Sequence, residues 1–454
     1  MSVEIVKQLG LLPKFWEHSV IYFANLESLF FGNISKLMDL KSEVSGVNTY
    51  GGRLVPILNI LFKNSDNVLI LEKEPCKSLQ NYFTRELNLT IPRMEIFSSD
   101  IFYGVNKASG IICDELKLRE FTERISAYRG EYVDGFVSDR TLMIWADKFK
   151  RKSLMNDYIC SLCNNKLELY YYLRDMGMPL VDTEIADTSS KIQTCLNSLE
   201  KKGYSKAAVK SAIGASGIGM VKVPVSGDGT EIPEYFFEEG PCLVQGWLEE
   251  GRNDIKTINS PSVQLFVGQD KVYLYDITEQ ILTKDSVHEG NISPPPYLEL
   301  YPDIKKELLT QAEVAGKWLH SQRYKGTASV DFLVIKKSNS VEVYICEINA
   351  RVTGATYPSV LARYFMPEGA WIMRNLKTEI PIEGDKLLEV FDDVGALYYP
   401  GRNAGLIPIN FNIDEDGKVI KGQFLFLGKN LNLCLNLLEN TREALPVDWQ
   451  YDRD

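Results

Sequence analysis

The chain has 454 residues, a length expected to divide into two or three domains, and its 45% hydrophobic and 24% charged content is ordinary for a globular protein. No apolar run approaches the roughly 18–20 residues of a membrane span, and the opening MSVEIVKQLGLLPKFWEHSV lacks a basic-then-apolar leader, so a cytoplasmic protein is expected. A net charge of −11 argues against a general nucleic-acid binder, which needs a basic face.

The first ~150 residues read as an α/β unit with a parallel sheet. VIYFANLESLF begins as a strand, NTYGGRLVPILNILF reads as a loop entering an apolar helix, and DNVLILEKEP is a strand between turn residues. MIWADKF is a further short apolar run, grouped here with the strands. NNKLELYYYLRDMGMPLVDT is a helix by its three-and-four spacing, stopped at Gly177 and Pro179, and KIQTCLNSLEKKGY is another, stopped at Gly203. From 207 to 350 strands dominate: AAVK and MVKV around a glycine loop, GPCLVQGWL, and two hairpins, SVQLFVGQDKVYLYDITEQIL and TASVDFLVIKKSNSVEVYICEINAR. The helix LLTQAEVAGKWLHSQRY lies between the hairpins. The tail from about 376 holds a hairpin around DEDGK; Asn412, Asp414, Asp416 and Gly417 imitate an EF-hand start, but Gln423 stands at the twelfth position and an Asp-Gly turn fits better.

Cysteines and histidines offer little chemistry. Cys160 and Cys163 form a CxxC without a second pair at zinc spacing, so they read as helix residues near a core. His18, His288 and His320 each stand alone, which turns attention to carboxylates, lysine, arginine and a metal.

The stretch AAVKSAIGASGIGMVKV carries Gly214, Gly217 and Gly219 after Lys210. It is neither a Walker loop, which needs GxxxxGK[ST] and a helix, nor a dinucleotide fingerprint, which needs GxGxxG opening a helix. Strand–glycine loop–strand remains: a flap whose N–H groups hold phosphate oxygens, with Ser216 adding a hydroxyl and Lys210 reaching the phosphates. The competing reading is a glycine-rich hairpin without a ligand. Downstream, Asp331 lies on one strand and Glu347 and Asn349 on the next, two residues apart and so on one face. Buried carboxylates in VEVYICEINA need a partner, and three oxygen donors suit magnesium with phosphates completing its shell. Arg351 continues that face and could stabilise developing negative charge. Ile345 is expected on the face of Glu347, Cys346 and Ile348 on the other. In LVQGWLEEG, backbone groups from Gln245 to Leu248 could pair with an adenine edge, with Trp247 packing beside them; a Trp there is as readily core.

The order Asn165-Lys166, strand–Lys210–glycine loop–strand, VQGWL, DFLV and CEINAR resembles the ATP-grasp superfamily over roughly residues 151–375, most strongly in EINARVTGATYP. Layout and the NTYGGR segment are similar to the amino-acid and peptide ligases of antibiotic biosynthesis, both the pheganomycin-type peptide ligases and the butirosin-pathway type that loads glutamate onto a carrier protein. The resemblance implies an α/β fold with an N-terminal pre-ATP-grasp domain at 1–150, an ATP-grasp domain at 151–375 (flap about 200–240, metal lobe about 241–375) and a small β-rich C-terminal subdomain at 376–454. It implies that Lys166 and Lys210 contact ATP phosphates, Gly214 to Gly219 form the flap, Gln245 and Leu248 line the adenine site, and Asp331, Glu347 and Asn349 hold Mg2+, or Mn2+ in its place. Arg351 would face an acyl phosphate. Gln245 departs from the pattern, since many relatives carry Glu there.

The implied activity is an ADP-forming ligase that activates an amino-acid or peptide carboxylate and joins it to an amine or to the phosphopantetheine thiol of an acyl carrier protein; a kinase using the same nucleotide site is the alternative. Gly51, Gly52 and Arg53 offer a carboxylate cradle or a plain turn with a solvated Arg, and Gln280, His288, Asn291 and Arg363 are further candidates for the acyl site. The run Lys148, Lys150, Arg151 and Lys152 is a candidate surface for an acidic carrier protein, although such a run is commonly a solvated face. A homodimer is the assembly the resemblance suggests.

Overall fold

The structure is a computed structural model that describes residues 3–30, 33–43, 47–215, 217–227, 231–282, 288–442 and 447–448. Ser216 and residues 283–287, part of the TKDSVHEGN segment, lie outside them.

After a short strand β1 (Glu4–Lys7), the first unit is a five-stranded parallel sheet of β2 (Val20–Phe23), β3 (Val68–Leu71), β4 (Arg93–Ile96), β5 (Tyr132–Gly135) and β6 (Lys152–Ser153), ordered β4-β3-β2-β5-β6. VIYF and VLIL are buried throughout because both faces are covered, as a parallel sheet requires. Alternate residues feed two cores: Ile21, Phe23, Val68 and Ile70 pack with Phe102, Trp145 and Phe149, while Tyr22, Leu69 and Leu71 join the main core. MIWADKF belongs to the helix Arg140–Phe149 rather than to a strand. Leu142, Trp145, Ala146 and Phe149 recur at helical spacing, and Asp139 caps the start by accepting from Leu142 N at 2.8 Å. NTYGGRLVPILNILF yields only a 3-10 turn, Val47–Leu54, and one turn of α-helix, Leu58–Leu61, with Pro56 between them.

Four antiparallel strands form the second sheet: β7 (Thr183–Ala186), β8 (Lys206–Ala215), β9 (Ile218–Pro224) and β10 (Cys242–Gly246), ordered β7-β10-β8-β9. The helix Ile192–Lys201 lays Ile192, Cys195, Leu196 and Leu199 on it, making a small core with Val209, Val223 and Val244. Most of the expected glycine loop is therefore strand, and Lys210 lies mid-strand opposite Met220 and Leu243.

The third sheet takes β11 (Ile255–Asn259), β12 (Pro261–Val267), β13 (Lys271–Leu282), β14 (His288–Ser293), β15 (Gly326–Lys337), β16 (Val341–Asn349), β17 (Ala370–Ile382), β18 (Ala404–Ile413), β19 (Val419–Gly428) and β20 (Val447–Asp448), with β1 joining β13 in parallel. The helix Pro302–Ser321 packs on it. β17 runs unbroken across position 376, so the C-terminal strands extend the sheet that begins with β11. One core joins this sheet to the first unit, from Tyr22 and Leu69 through Val330 to Leu427.

At the centre of that sheet Asp276 is 2% exposed and accepts from Ser293, Ser359, Trp371 and Arg363, the last at 2.8 and 3.2 Å. Arg363, expected at the acyl site, is thus committed to a buried ion pair. Arg151 is likewise occupied, since its guanidinium donates to the carbonyls of Gly130 and Tyr128, which removes it from the basic run as a docking surface.

Candidate active site

Two lysines from the small-sheet side meet two carboxylates from the large sheet. Lys166 opens the helix Lys166–Asp175, whose start is capped by Asn165 accepting from Leu167 N and Glu168 N. Its ammonium donates to Gly214 O at 3.2 Å and pairs with Glu347 Oε2 at 3.1 Å, so one side chain links the flap to the carboxylate strand. From β8, Lys210 donates to Gln245 Oε1 at 2.8 Å and lies 3.7 Å from Cys346 Sγ. Gln245 is held in turn, its amide donating to Thr183 Oγ1 at 3.1 Å.

On the large sheet Asp331 faces Glu347 directly, with a register break just beyond. This bulge corrects the simple alternation expected of β16: Cys346 turns to the site with Glu347, and Ile345 goes into the core at 6% exposure. Asp331 accepts from Ser262 Oγ at 2.6 Å and from Asn349 Nδ2 at 3.0 Å. The same Asn349 amide lies 3.4 Å from Glu347 Oε1. An NH2 group thus occupies the place between two carboxylates that a cation would take.

The electrostatics fit that picture. Burial, reinforced by Glu347, pushes the Asp331 carboxyl up to about 7. Burial also acts on Glu347, but Lys166, Lys210 and Arg351 outweigh it and hold that carboxyl below its usual range. Burial raises the Cys346 thiol, which Lys210 offsets only in part, so a thiolate nucleophile is not favoured. The oxygen donors suit a hard divalent ion. Among the described residues no group of three His, Cys, Asp or Glu side chains is gathered, so two carboxylates and Asn349 would leave the remaining positions to phosphate oxygens. Coordination through Asn349 requires its amide to turn its oxygen inward.

Arg351 follows β16. Its guanidinium donates to Asn164 Oδ1 at 2.6 Å, and Asn164 also brackets the backbone of Ala350, accepting from its N–H and donating to its carbonyl. A cavity of about 40 Å³ beside Arg351 is lined by Tyr22, Asp134 and Ser138 of the first unit. Tyr22 Oη has no partner there, and burial pushes Asp134 up to about 7.

Sequence reasoning missed Asn164, Thr183, Ser262 and Lys36. The pair at 164–165 precedes Lys166 directly and was the available signal for Asn164. Lys36 carried none. It lies on the helix Ile34–Glu43 of the first unit and is completely buried, donating to Ser211 Oγ (3.0 Å), Ile213 O (3.0 Å) and Glu239 Oε2 (2.6 Å) behind the flap. The flap turn itself has Gly217 at φ +83° and Gly219 at φ +78°. A Cβ on Gly219 would stand 2.3 Å from Ser211 Oγ. Trp247 packs under Lys222, whose ammonium is 4.1 Å from the ring centre, and the backbone N–H of Trp247 donates to Lys206 O. Leu248 follows it, half-buried, at the exit of β10.

Comparison with known proteins agrees with this geometry. A family model described as the ATP-grasp domain matches residues 163–355, which include both lysines, the flap and all three candidate metal ligands. A [butirosin acyl-carrier protein]–L-glutamate ligase of Niallia circulans is 24% identical over 288 residues, 60% of this chain. The match spans 63% of that relative's length. Among solved structures, a biotin carboxylase from Campylobacter jejuni superposes with a TM-score of 0.59 at 12% identity, covering 95% of this chain and 92% of the other. An N5-carboxyaminoimidazole synthetase from Staphylococcus aureus complexed with ADP gives 0.54 at 14% identity, covering 96% and 100%. These likenesses establish a common fold.

Proposed function

We propose that the chain is an ADP-forming carboxylate ligase using ATP and a divalent cation, with an amino acid or peptide as acyl donor, a reading supported by the match of residues 163–355 to the ATP-grasp domain model. One observation carries this reading: the Lys166 ammonium pairs with Glu347, which lies opposite Asp331 across the hairpin, while Lys210 reaches the adjoining Cys346. Cations that bind phosphate and carboxylates that bind a metal then face one another, as phosphoryl transfer requires.

In this reading Lys166 and Lys210 bind ATP phosphates, N–H groups between Gly214 and Gly219 cover them, and Gln245, Trp247 and Leu248 border the base. Ser216 belongs to that flap by sequence but lies outside the described residues. Asp331, Glu347 and Asn349 would hold Mg2+, or Mn2+, which when bound neutralises phosphate charge. A carboxylate oxygen of the donor attacks the γ-phosphorus, the bond to the β–γ bridging oxygen breaks, and ADP leaves. Arg351 stabilises the resulting acyl phosphate. An amine or thiol then attacks the acyl carbon and phosphate departs. The work is positioning and charge stabilisation, with no histidine nucleophile.

The relative of Niallia circulans is by name a ligase acting on a carrier protein, which supports a thiol acceptor and a role in natural-product assembly over the kinase alternative. Among the described residues no helix is long and apolar enough to cross a membrane, consistent with cytoplasmic work on small substrates. The test is ADP release from protein, ATP, Mg2+ and a panel of amino acids, with hydroxylamine present. Hydroxamate from one donor supports the ligase; a stable phosphoester without hydroxamate would establish the kinase instead.

A further inference from the structure

The flap hairpin is not held by its own ladder near the turn. Strand β8 pairs with β9 in register from Lys206 to Lys210, and pairing resumes only at Ala215 with Ile218, so residues 211–214 stand opposite Gly219 alone. Side chains bridge this break. Lys166 donates to Gly214 O at 3.2 Å, and Lys36 donates to Ile213 O and to Ser211 Oγ, both at 3.0 Å. The Ser211 hydroxyl, itself buried, lies 2.7 Å from Ile213 O and 3.2 Å from Gly219 O. Lys36 thus reaches one limb of the hairpin directly and the other through Ser211. A Cβ on Gly219 would stand 3.5 Å from Lys36 Cε, so the lysine stem lies against that limb as well.

A buried ammonium is costly unless its three donors are all met, and here they are. The third goes to Glu239 Oε2 at 2.6 Å, on the segment between β9 and β10. The first unit builds this seat from one short stretch. Asn33 accepts from Lys36 N at 3.1 Å at the helix start, while its amide donates to Glu239 Oε1 at 3.2 Å and to Tyr235 O at 3.1 Å. Farther along the same helix, Asp39 Oδ2 accepts from Tyr235 Oη at 3.1 Å. Apolar contact across this junction is small, Phe30 and Leu37 against Ile218 and Ala215. None of the three partners of Lys36 is a candidate phosphate or metal ligand. Lys166 differs, because it also pairs with Glu347 and so belongs to the candidate site.

We propose that Lys36 is a positioning residue for nucleotide binding, a clasp from the first unit that fixes the flap backbone from behind and never touches the nucleotide. This rests on the ATP reading of the flap given above. When Lys166 turns from Gly214 to a phosphate, the break in the hairpin keeps its other support, the Lys36 bonds to Ile213 and Ser211. Without them the bulged backbone between Lys210 and Met220 would have to be ordered anew each time a nucleotide bound, and affinity would fall. The clasp is polar, so it opens and re-forms without exposing much apolar surface.

The measurement is calorimetric titration of the whole protein with Mg-ADP and with the magnesium complex of a non-hydrolysable ATP analogue, beside hydrogen exchange of the nucleotide-bound state. Lys36→Met should weaken both nucleotides about tenfold, and Lys36→Arg should recover part of that loss. Exchange in Lys36→Met should speed up across residues 211–220 while β12 and β15 keep their protection. In the ADP-release assay, KM for ATP should rise far more than kcat falls. Lys36→Met that melts lower yet binds both nucleotides as the wild type does overturns the proposal, since that is the behaviour of a purely structural ion pair. Should Lys36→Met not fold, Ser211→Ala and Glu239→Gln decide the matter: a loss of about threefold or more with faster exchange at 211–220 supports the clasp, and wild-type affinity in both overturns it. A wild type that binds neither nucleotide would sink the ATP reading and the clasp with it. Weakened nucleotide binding by Lys36→Met, with no ADP or hydroxamate from any donor in the wild type, would overturn the ligase alone and leave the clasp standing.

Discussion

The small sheet that carries the flap and the large sheet that carries the carboxylates are built on different principles. The small one has its own core, centred on Leu196, Val209 and Val244, and touches the rest through polar links such as Lys166 to Gly214 and Lys36 to Glu239 and through a small apolar contact of Ile218 with Phe30. The large one shares a continuous apolar core with the first unit. Polar links can be remade around a nucleotide, whereas a shared core cannot be opened without exposing apolar surface. On the proposed function, this division would leave the flap free to open for a nucleotide while the groups assigned to the metal and the acyl donor stay fixed.

The largest expected effect is on chemistry. Arg351→Ala should reduce ADP formation by about 10²- to 10³-fold while Mg-ADP binding stays near wild type, as measured by steady-state rates and titration. Equal losses in both would place Arg351 in nucleotide binding instead. Next is the large sheet. Arg363→Met strands Asp276 among groups that all donate to it, and should destabilise by about 3–5 kcal/mol in chemical denaturation. A loss below about 1 kcal/mol would contradict its structural assignment.

In the small sheet, Leu196→Ala should cost about 2–5 kcal/mol. Hydrogen exchange should then speed up in β7 to β10 while β12 and β15 keep their protection; uniform acceleration would show that the two sheets unfold as one. In the flap turn, Gly219→Ala drives a Cβ into Ser211 Oγ at a positive φ, whereas Gly217→Ala meets open space and bears only the backbone strain, about 1–2 kcal/mol. Nucleotide affinity should therefore fall more for the first, and equal losses would mean the Ser211 contact is relieved at little cost.

The smallest effect is on pH dependence. Burial pushes Glu279, in β13, up to about 7, far above its value in an unfolded chain. Its protonated form is favoured by folding, so its contribution to stability is complete below about pH 4 and is lost as pH rises through 7. Glu279→Gln should flatten the fall in melting temperature between pH 5.5 and 8, by a few °C at most. An unchanged slope would assign that fall to other groups such as Asp134, also raised to about 7.

Much of the flap and the carboxylate hairpin was legible because local pattern governs them. Alternation marked β8, β9, β15 and β16, and two-residue spacing put Glu347 and Asn349 on one side. Where the pattern misled, a longer-range constraint had intervened. The bulge that turns Cys346 toward Lys210 is a property of the β15–β16 register. MIWADKF read as a strand because the short run hid a helical stripe that begins at Leu142. Arg363 looked like a site residue because sequence could not place Asp276, 87 positions away, against it.

By itself, then, the sequence determined most of the strands and helices, where the glycine turn falls, and which oxygen and ammonium groups lie near one another along the chain. Those outcomes depend on backbone sterics and on periodicity over a few residues. Only the tertiary structure decided that Lys36 of the first unit is buried behind the flap and that Asn164 clamps Arg351 from 187 positions away. Such meetings follow from how sheets pack, and no local spacing encodes the desolvation that they create.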